Sequence, residues 1–211
     1  MTKNNAISLY KKYHIDRDDQ RLGQFVEIRE KFQIKSVMYP GCFVHITPSF
    51  VFPKVVYVDS YKKANIFFDN PKVLEFIRKK KEYKDEPDVL FYHRDYTKNI
   101  VDLDDGDCFD LLVSQYAGFV SQHCKKYLKP GGVLLVNNSH GDATMASIDK
   151  DYELVGVLNR KNDDKYSFSE KDLSSYFIPK KPVKITKKYV RQINRGIGYT
   201  KSASAYIFRK T

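Results

Sequence analysis

The chain has 211 residues, of which 42% are hydrophobic and 30% charged, and a net charge of +11. That balance is near the globular average, which excludes a disordered tail protein, and no run approaches the roughly 18 apolar residues needed to cross a bilayer. The length suits one domain spanning residues 1–211, with a helical lead-in over 1–33, a core over 34–160, a basic insertion over 161–200 and a final strand over 201–211.

Residues 5–14 and 18–32 read as two helices, with Asp18 or Asp19 as a cap and Leu22, Phe25, Val26 and Ile28 tracing an imperfect apolar stripe. Five short apolar runs follow, at 36–39, 55–58, 89–92, 111–114 and 133–136. They lack strict alternation, as expected for a parallel sheet covered on both faces. In the stretch from Val37 to Phe50 the first run ends in a Pro-Gly turn, and Thr47-Pro48 caps only a short helix. Longer helices are expected over 61–68, over 71–83 with Pro71 in the first turn, and over 116–128, the last stopped by Lys129-Pro130-Gly131-Gly132. Beyond Asn137 the pattern predicts a short helix at 139–147, a strand at 152–158 and a last strand at 203–208. In the segment between those strands, Ser167 and Glu170 have the spacing of a capping box.

The charge is concentrated at one end. From Leu173 onward there are ten Lys and Arg residues and no Asp or Glu, so this segment carries +10 of the +11. Clustered positive charge steers polyanions, so an anionic substrate or nucleic acid is the partner class it suggests, with Lys187, Lys188 and Arg191 as contacts; a solvated face without a partner is the alternative. Tyr176, Phe177, Tyr189 and Tyr199 are interleaved with these charges and read as core residues.

In a parallel α/β sheet, ligands bind outside the carboxyl ends of the strands, where strand order reverses. The residues at those ends are Tyr39 and Gly41, then Asp59 and Ser60, then Asp95 and Tyr96, and then Ser114, Gln115 and Tyr116. Asp59 stands 18 residues after Gly41, a spacing at which a carboxylate accepts from both hydroxyls of a ribose. His45, His93, His123 and His140 are dispersed, and Cys42, Cys108 and Cys124 form no C-x-x-C, so no metal site is expected and the thiols read as reduced. The acidic run Asp102, Asp104, Asp105 and Asp107 lacks the twelfth-position glutamate of a calcium loop and reads as a solvated turn. With no apolar signal segment in MTKNNAISLYKK, the expected location is cytoplasmic.

Together these strand ends, the Phe109-Asp110 opening of the fourth run and the stretch YLKPGGVLLVNN resemble the class I S-adenosylmethionine-dependent methyltransferases. The resemblance implies a Rossmann-like α/β fold: a mostly parallel seven-stranded sheet with helices on both faces and an antiparallel last strand. It also implies S-adenosylmethionine as cofactor, with Gly41 at the methionine end, Asp59 on the ribose and Asp95 near the adenine, flanked by Tyr39, Ser60, Tyr96, Ser114 and Gln115. Tyr116 and His140 are the catalytic candidates, and Asn137 and Asn138 would contact the acceptor. The first loop departs from the family in having one glycine where two or three are usual. Three readings follow: a methyltransferase with a remodelled cofactor loop and an anionic acceptor, a non-catalytic binding module on the same fold with a basic partner-binding face, or another nucleotide-dependent Rossmann-like enzyme. The absence of Gly-x-Gly-x-x-Gly and Walker patterns counts against the third.

Overall fold

In the computed structural model the described residues are 6–100, 103, 109–162 and 164–211. Five strands run parallel: β1 (Ser36–Pro40), β2 (Lys54–Val58), β3 (Asp88–Tyr92), β4 (Phe109–Ser114) and β5 (Leu128–Val136). Three antiparallel strands complete the sheet: β6 (Tyr152–Arg160), β7 (Tyr166–Ser169) and β8 (Ala205–Lys210), giving the spatial order β3-β2-β1-β4-β5-β8-β6-β7. The sheet therefore has eight strands rather than seven. The additional one is β7, whose Ser167 faces Asn159 across a hairpin, so Ser167 and Glu170 do not open a helix. Tyr and Phe alternate with Ser in this strand, and Gly156 of β6 gives room for the Phe168 ring; the alternation of period two outweighs the capping spacing.

The central strands show why unbroken apolar runs were needed. Val37, Tyr39, Leu111, Val113, Val133 and Leu135 point to one core, while Met38, Leu112, Leu134 and Val136 point to the other, and all are buried. Each such side chain contributes about 1.5–3 kcal/mol on burial, so both faces must be covered. One cover includes α2 (Leu22–Lys31) and α3 (Pro48–Val51), and the other α6 (Val120–His123) and α7 (Asp142–Ser147). A third cluster joins α1 (Ala6–Tyr10) to α5 (Pro71–Lys80), which follows α4 (Lys62–Phe68).

Several boundaries differ from the sequence pattern for identifiable reasons. Residues 11–15 continue α1 as a π-helical turn, and α2 begins only at Leu22. Its N-terminal amides are capped by Asp164, at 2.7 Å from the Leu22 nitrogen, rather than by Asp18 or Asp19. The expected helix over 116–128 is reduced to α6 and a 3₁₀ turn at Lys125–Tyr127, because Ala117 packs against Gly41 of the β1 turn. Asn70 caps α5 through the Lys72 nitrogen, with Pro71 in its first turn. Thr47 precedes Pro48 as expected, but its hydroxyl pairs with Tyr10 instead of capping α3. Cys108 and the run from Asp102 to Asp107 lie outside the described residues. No helix among the described residues is long and apolar enough to cross a membrane.

Candidate functional site

The strand order reverses between β1 and β4, and there the carboxyl ends of the strands open onto a cavity of about 490 Å³. Tyr39, Gly41 and Phe43 of the β1 end line one side, and Gln115 and Tyr116 after β4 line another. The third wall comes from the N-terminal segment, with His14, Arg17 and Arg21, and Arg160 at the end of β6 joins it.

Backbone conformation singles out this cavity. Asp18, Arg21, Phe43 and Tyr116 all line it, and all have positive φ, between 48° and 57°. L-residues with large side chains pay to enter the left-handed region, and such strain persists where the surrounding structure over-determines it, characteristically at binding sites. Gly41, at φ +64°, is needed for a second reason: a Cβ there would overlap the Cβ of Ala117.

Arg21 organises the polar side. Its buried guanidinium donates to the Gln115 carbonyl, to His45 Nδ1 at 3.3 Å and to the backbone oxygen of Asp19, and it pairs with the Asp19 carboxylate at 3.2 Å. The outer face of the same region is formed by the Tyr116 ring, whose centroid lies 5.2 Å from the guanidinium carbon and which is 61% exposed. Because Arg21 must donate to Nδ1, His45 is neutral with its proton on Nε2, which donates to the Gln20 carbonyl at 2.9 Å. Burial and the neighbouring Arg21 charge both hold its pKa well below 6.5. Tyr39 donates to the same Nδ1 at 3.2 Å, and burial raises its phenol to about 12. His14 lines the cavity, its ring 4.3 Å from that of His45, and its Nε2 is buried without a partner among the described residues.

Asp59 lies beyond this lining. Its Oδ2 accepts from the Phe43 nitrogen at 2.8 Å and its Oδ1 from the Tyr61 nitrogen at 2.7 Å, so it fastens the β1 loop to the end of β2. Each oxygen keeps a second lone pair. Asp95 turns its carboxylate into its own loop, accepting from the Thr97 nitrogen and hydroxyl, which lower its pKa. Ser60 is exposed and its carbonyl receives His93 Nε2. The Tyr96 ring lies beside Gly41, and its phenol is raised to about 12 by burial. Cys42 is buried among apolar groups, which raises its pKa well above 9.0 and leaves it a poor nucleophile.

The structure brings together Tyr39, Gly41, Gln115 and Tyr116 at the cavity, but not the remaining candidates. Ser114 points away, donating to the buried carboxylate of Asp142 at 2.5 Å. Asn137 and Asn138 form a joint between elements. Asn137 Oδ1 accepts from the Tyr116 and Ser139 nitrogens, while Asn138 Oδ1 accepts from Thr144 and its amide donates to the Ile197 carbonyl. His140, half-buried on the same loop, is outside the cavity lining. Lys187 is tied to Asp149 at 3.1 Å, whereas Lys188 and Arg191 are exposed on α8 (Lys187–Ile193). Sequence reasoning missed His14, Arg17, Arg21, His45 and Arg160. The one local signal was the polar run DRDDQR, which falls between two helices and not inside one.

No protein-family model and no curated protein matches the sequence. Among solved structures, the chain is similar to the O-methyltransferase TomG of Streptomyces achromogenes, involved in tomaymycin synthesis and solved with S-adenosylmethionine. The identity is 15%, over 78% of this chain and 87% of TomG, with a TM-score of 0.50. A candidate O-methyltransferase from Klebsiella pneumoniae aligns with 11% identity over 71% of this chain and 77% of the other, also at 0.50. Sheet order, the antiparallel last strand and these likenesses agree: the chain has the Rossmann-like fold of the class I S-adenosylmethionine-dependent methyltransferases.

Proposed function

We propose that the chain is an S-adenosylmethionine-dependent methyltransferase acting on an anionic acceptor. The observation that carries this reading is the cavity at the β1/β4 reversal, walled by residues held in left-handed conformations. Its size falls in the range of small-ligand sites, roughly 300–1,000 Å³.

The residue expected at the cofactor's sugar end, Asp59, lies beyond the lining of this cavity. Asp59 is fixed by two backbone amides and retains one lone pair on each oxygen for vicinal hydroxyls. The loop from Gly41 to Phe43 and the Gln115 side chain would hold the methionine portion. When bound, the cofactor supplies an electrophilic methyl group on a sulfonium. The chain's own part is alignment and exclusion of water: Arg21 locks Gln115 and supports Tyr116, so the β4 end is held rigidly against the cavity. Tyr116 would orient the acceptor, with Asn137 and Asn138 fixing the loop beside it. His140, on that loop, is the candidate to accept a proton from an acceptor that requires it. Lys188 and Arg191 would attract the anionic portion of the acceptor.

A second reading, a non-catalytic binding module with a basic partner-binding face, is favoured by one contact. The space above Gly41, which a cofactor would approach, is taken by Ala117.

Calorimetric titration with S-adenosylmethionine tests the first reading. Heat from the parent and at least tenfold weaker binding by Asp59→Asn, with circular dichroism unchanged, support it. A folded parent that gives no heat overturns it. Cofactor binding without transfer of a labelled methyl group to RNA, DNA or acidic small molecules selects the binding module.

A further inference from the structure

We infer that a strip running from Tyr116 across the loop at 137–140 to the basic arm binds single-stranded nucleic acid, with the Tyr116 ring as a platform for an unpaired base. As a statement of acceptor class this rests on the methyltransferase reading; as a statement of binding it stands without it.

Residues 178–200 fold back onto the carboxyl edge of the sheet and are anchored there. The Gly196 nitrogen donates to the Ser139 carbonyl, Asn138 donates to the Ile197 carbonyl, and Tyr199 pairs with Thr144 at 2.8 Å. Gly196 passes so close to the Asn138 carbonyl that a Cβ would overlap it, and Lys187 is clamped by Asp149. The backbone beneath the cations is thus fixed before any ligand arrives, which lowers the entropy cost of binding. Lys188, Arg191 and Arg195 are exposed, and none of them has an ion-pair partner among the described residues.

The same loop touches Tyr116. Asn137 Oδ1 accepts from the Tyr116 nitrogen at 3.4 Å, so three consecutive residues, Asn137 to Ser139, connect the exposed ring to the arm at Gly196. With the Arg21 guanidinium 5.2 Å from its centroid and 61% of the residue exposed, the ring offers a flat face to solvent. A braced aromatic joined through one loop to an arm of exposed cations matches a single strand, whose bases stack while its phosphates track positive charge. A duplex would match the charge but hides its base faces, whereas an unpaired strand uses the ring and the cations together. Within the arm itself Tyr199 is buried and Tyr189 is only half-exposed, so Tyr116 presents the most open ring of the strip.

The test is fluorescence anisotropy with labelled 15-mer oligouridine, without cofactor, as a function of salt. The parent should bind, and log K should fall linearly with log salt. Reversing Lys188, Arg191 and Arg195 to Glu should make that slope shallower by about 2, from about 0.7 per phosphate contact on a single strand. Tyr116→Asn, which keeps the left-handed backbone accessible, should weaken oligouridine about tenfold but leave heparin binding unchanged, and Tyr116→Phe should bind like the parent. Any of three results overturns the inference: no binding at 50 mM salt, equal loss of heparin and oligouridine in Tyr116→Asn, or preference for phosphatidylserine vesicles over oligouridine. A folded protein that binds oligouridine but not S-adenosylmethionine would refute the methyltransferase reading and leave this one standing.

Discussion

The hydroxyl of Ser114, at the carboxyl end of β4, donates to the Asp142 carboxylate at 2.5 Å. Asp142 is 2% exposed and also accepts from the hydroxyl and nitrogen of Ser121, so one side chain binds β4, α6 and α7 together. Burial raises its pKa from 3.8 to about 6 despite these three donors. The folded state therefore holds this proton more tightly than the unfolded chain. The group's contribution is fully present below pH 4 and is lost as pH rises through 6, by about 3 kcal/mol at 1.36 kcal/mol per pH unit. Asp142→Asn, which keeps an acceptor and lets the serine hydroxyls reorient, should remove that slope. Thermal melts at pH 4, 5, 6 and 7 should show the variant gaining on the parent as pH rises.

Gly41 and Ala117 give a test of packing at the β1/β4 reversal. Gly41→Ala should destabilise by about 2–3 kcal/mol, from the cost of φ +64° in an L-residue and the overlap with the Ala117 methyl. Removing that methyl as well, in Gly41→Ala/Ala117→Gly, relieves the overlap but not the backbone cost. Urea unfolding of both single variants and the double should therefore give a coupling of about 1 kcal/mol in the favourable direction.

Much of the sheet was legible because burial on both faces leaves a sequence mark that does not depend on partners: VVYV and LLVS are apolar at every position or nearly so. Gly41, Gln115 and Tyr116 followed from the rule that ligands sit at strand ends. What escaped was set by long-range contact. Asp164 caps α2 from 142 residues away, and Arg21 reaches Gln115 across 94 residues. Neither has a local signature. The helix expected over 116–128 failed for a related reason: Ala117 packs on Gly41, and this tertiary contact outweighs local propensity. Asp59 was correctly placed at the end of β2, but its use of both oxygens to hold the β1 loop depends on a turn at Phe43 that the sequence does not announce.

Asp149 should behave in the opposite sense to Asp142. Its carboxylate is buried, yet Gln122, Lys125, Lys187 and the Asp151 nitrogen all donate to it, and these bonds hold its pKa well below 3.8. This contribution is present above pH 4 and lost as pH falls further. Asp149→Asn should cost about 2 kcal/mol at pH 7, less than a fully buried pair, because both lysines are partly exposed. Since Lys187 opens α8, hydrogen exchange in residues 187–193 should accelerate more than in β1 or β4. Uniform acceleration would mean the contact does not anchor the arm.

The left-handed conformation of Tyr116 makes a prediction that contact counting alone would miss. Replacing the ring by Ala or by Asn removes the same aromatic face and the same Arg21 contact, so the two variants lose nearly equal packing. They differ in backbone cost. Ala pays roughly 1–2 kcal/mol at φ +57°, whereas Asn enters this region readily because its short polar side chain bonds locally. Tyr116→Asn should therefore be about 1 kcal/mol more stable than Tyr116→Ala in urea unfolding, although Ala is the better residue in most solvent-exposed positions. If Ala equals or exceeds Asn at position 116, the strain around the cavity is not a property of the folded chain, and the residues lining it are not held in place for a ligand.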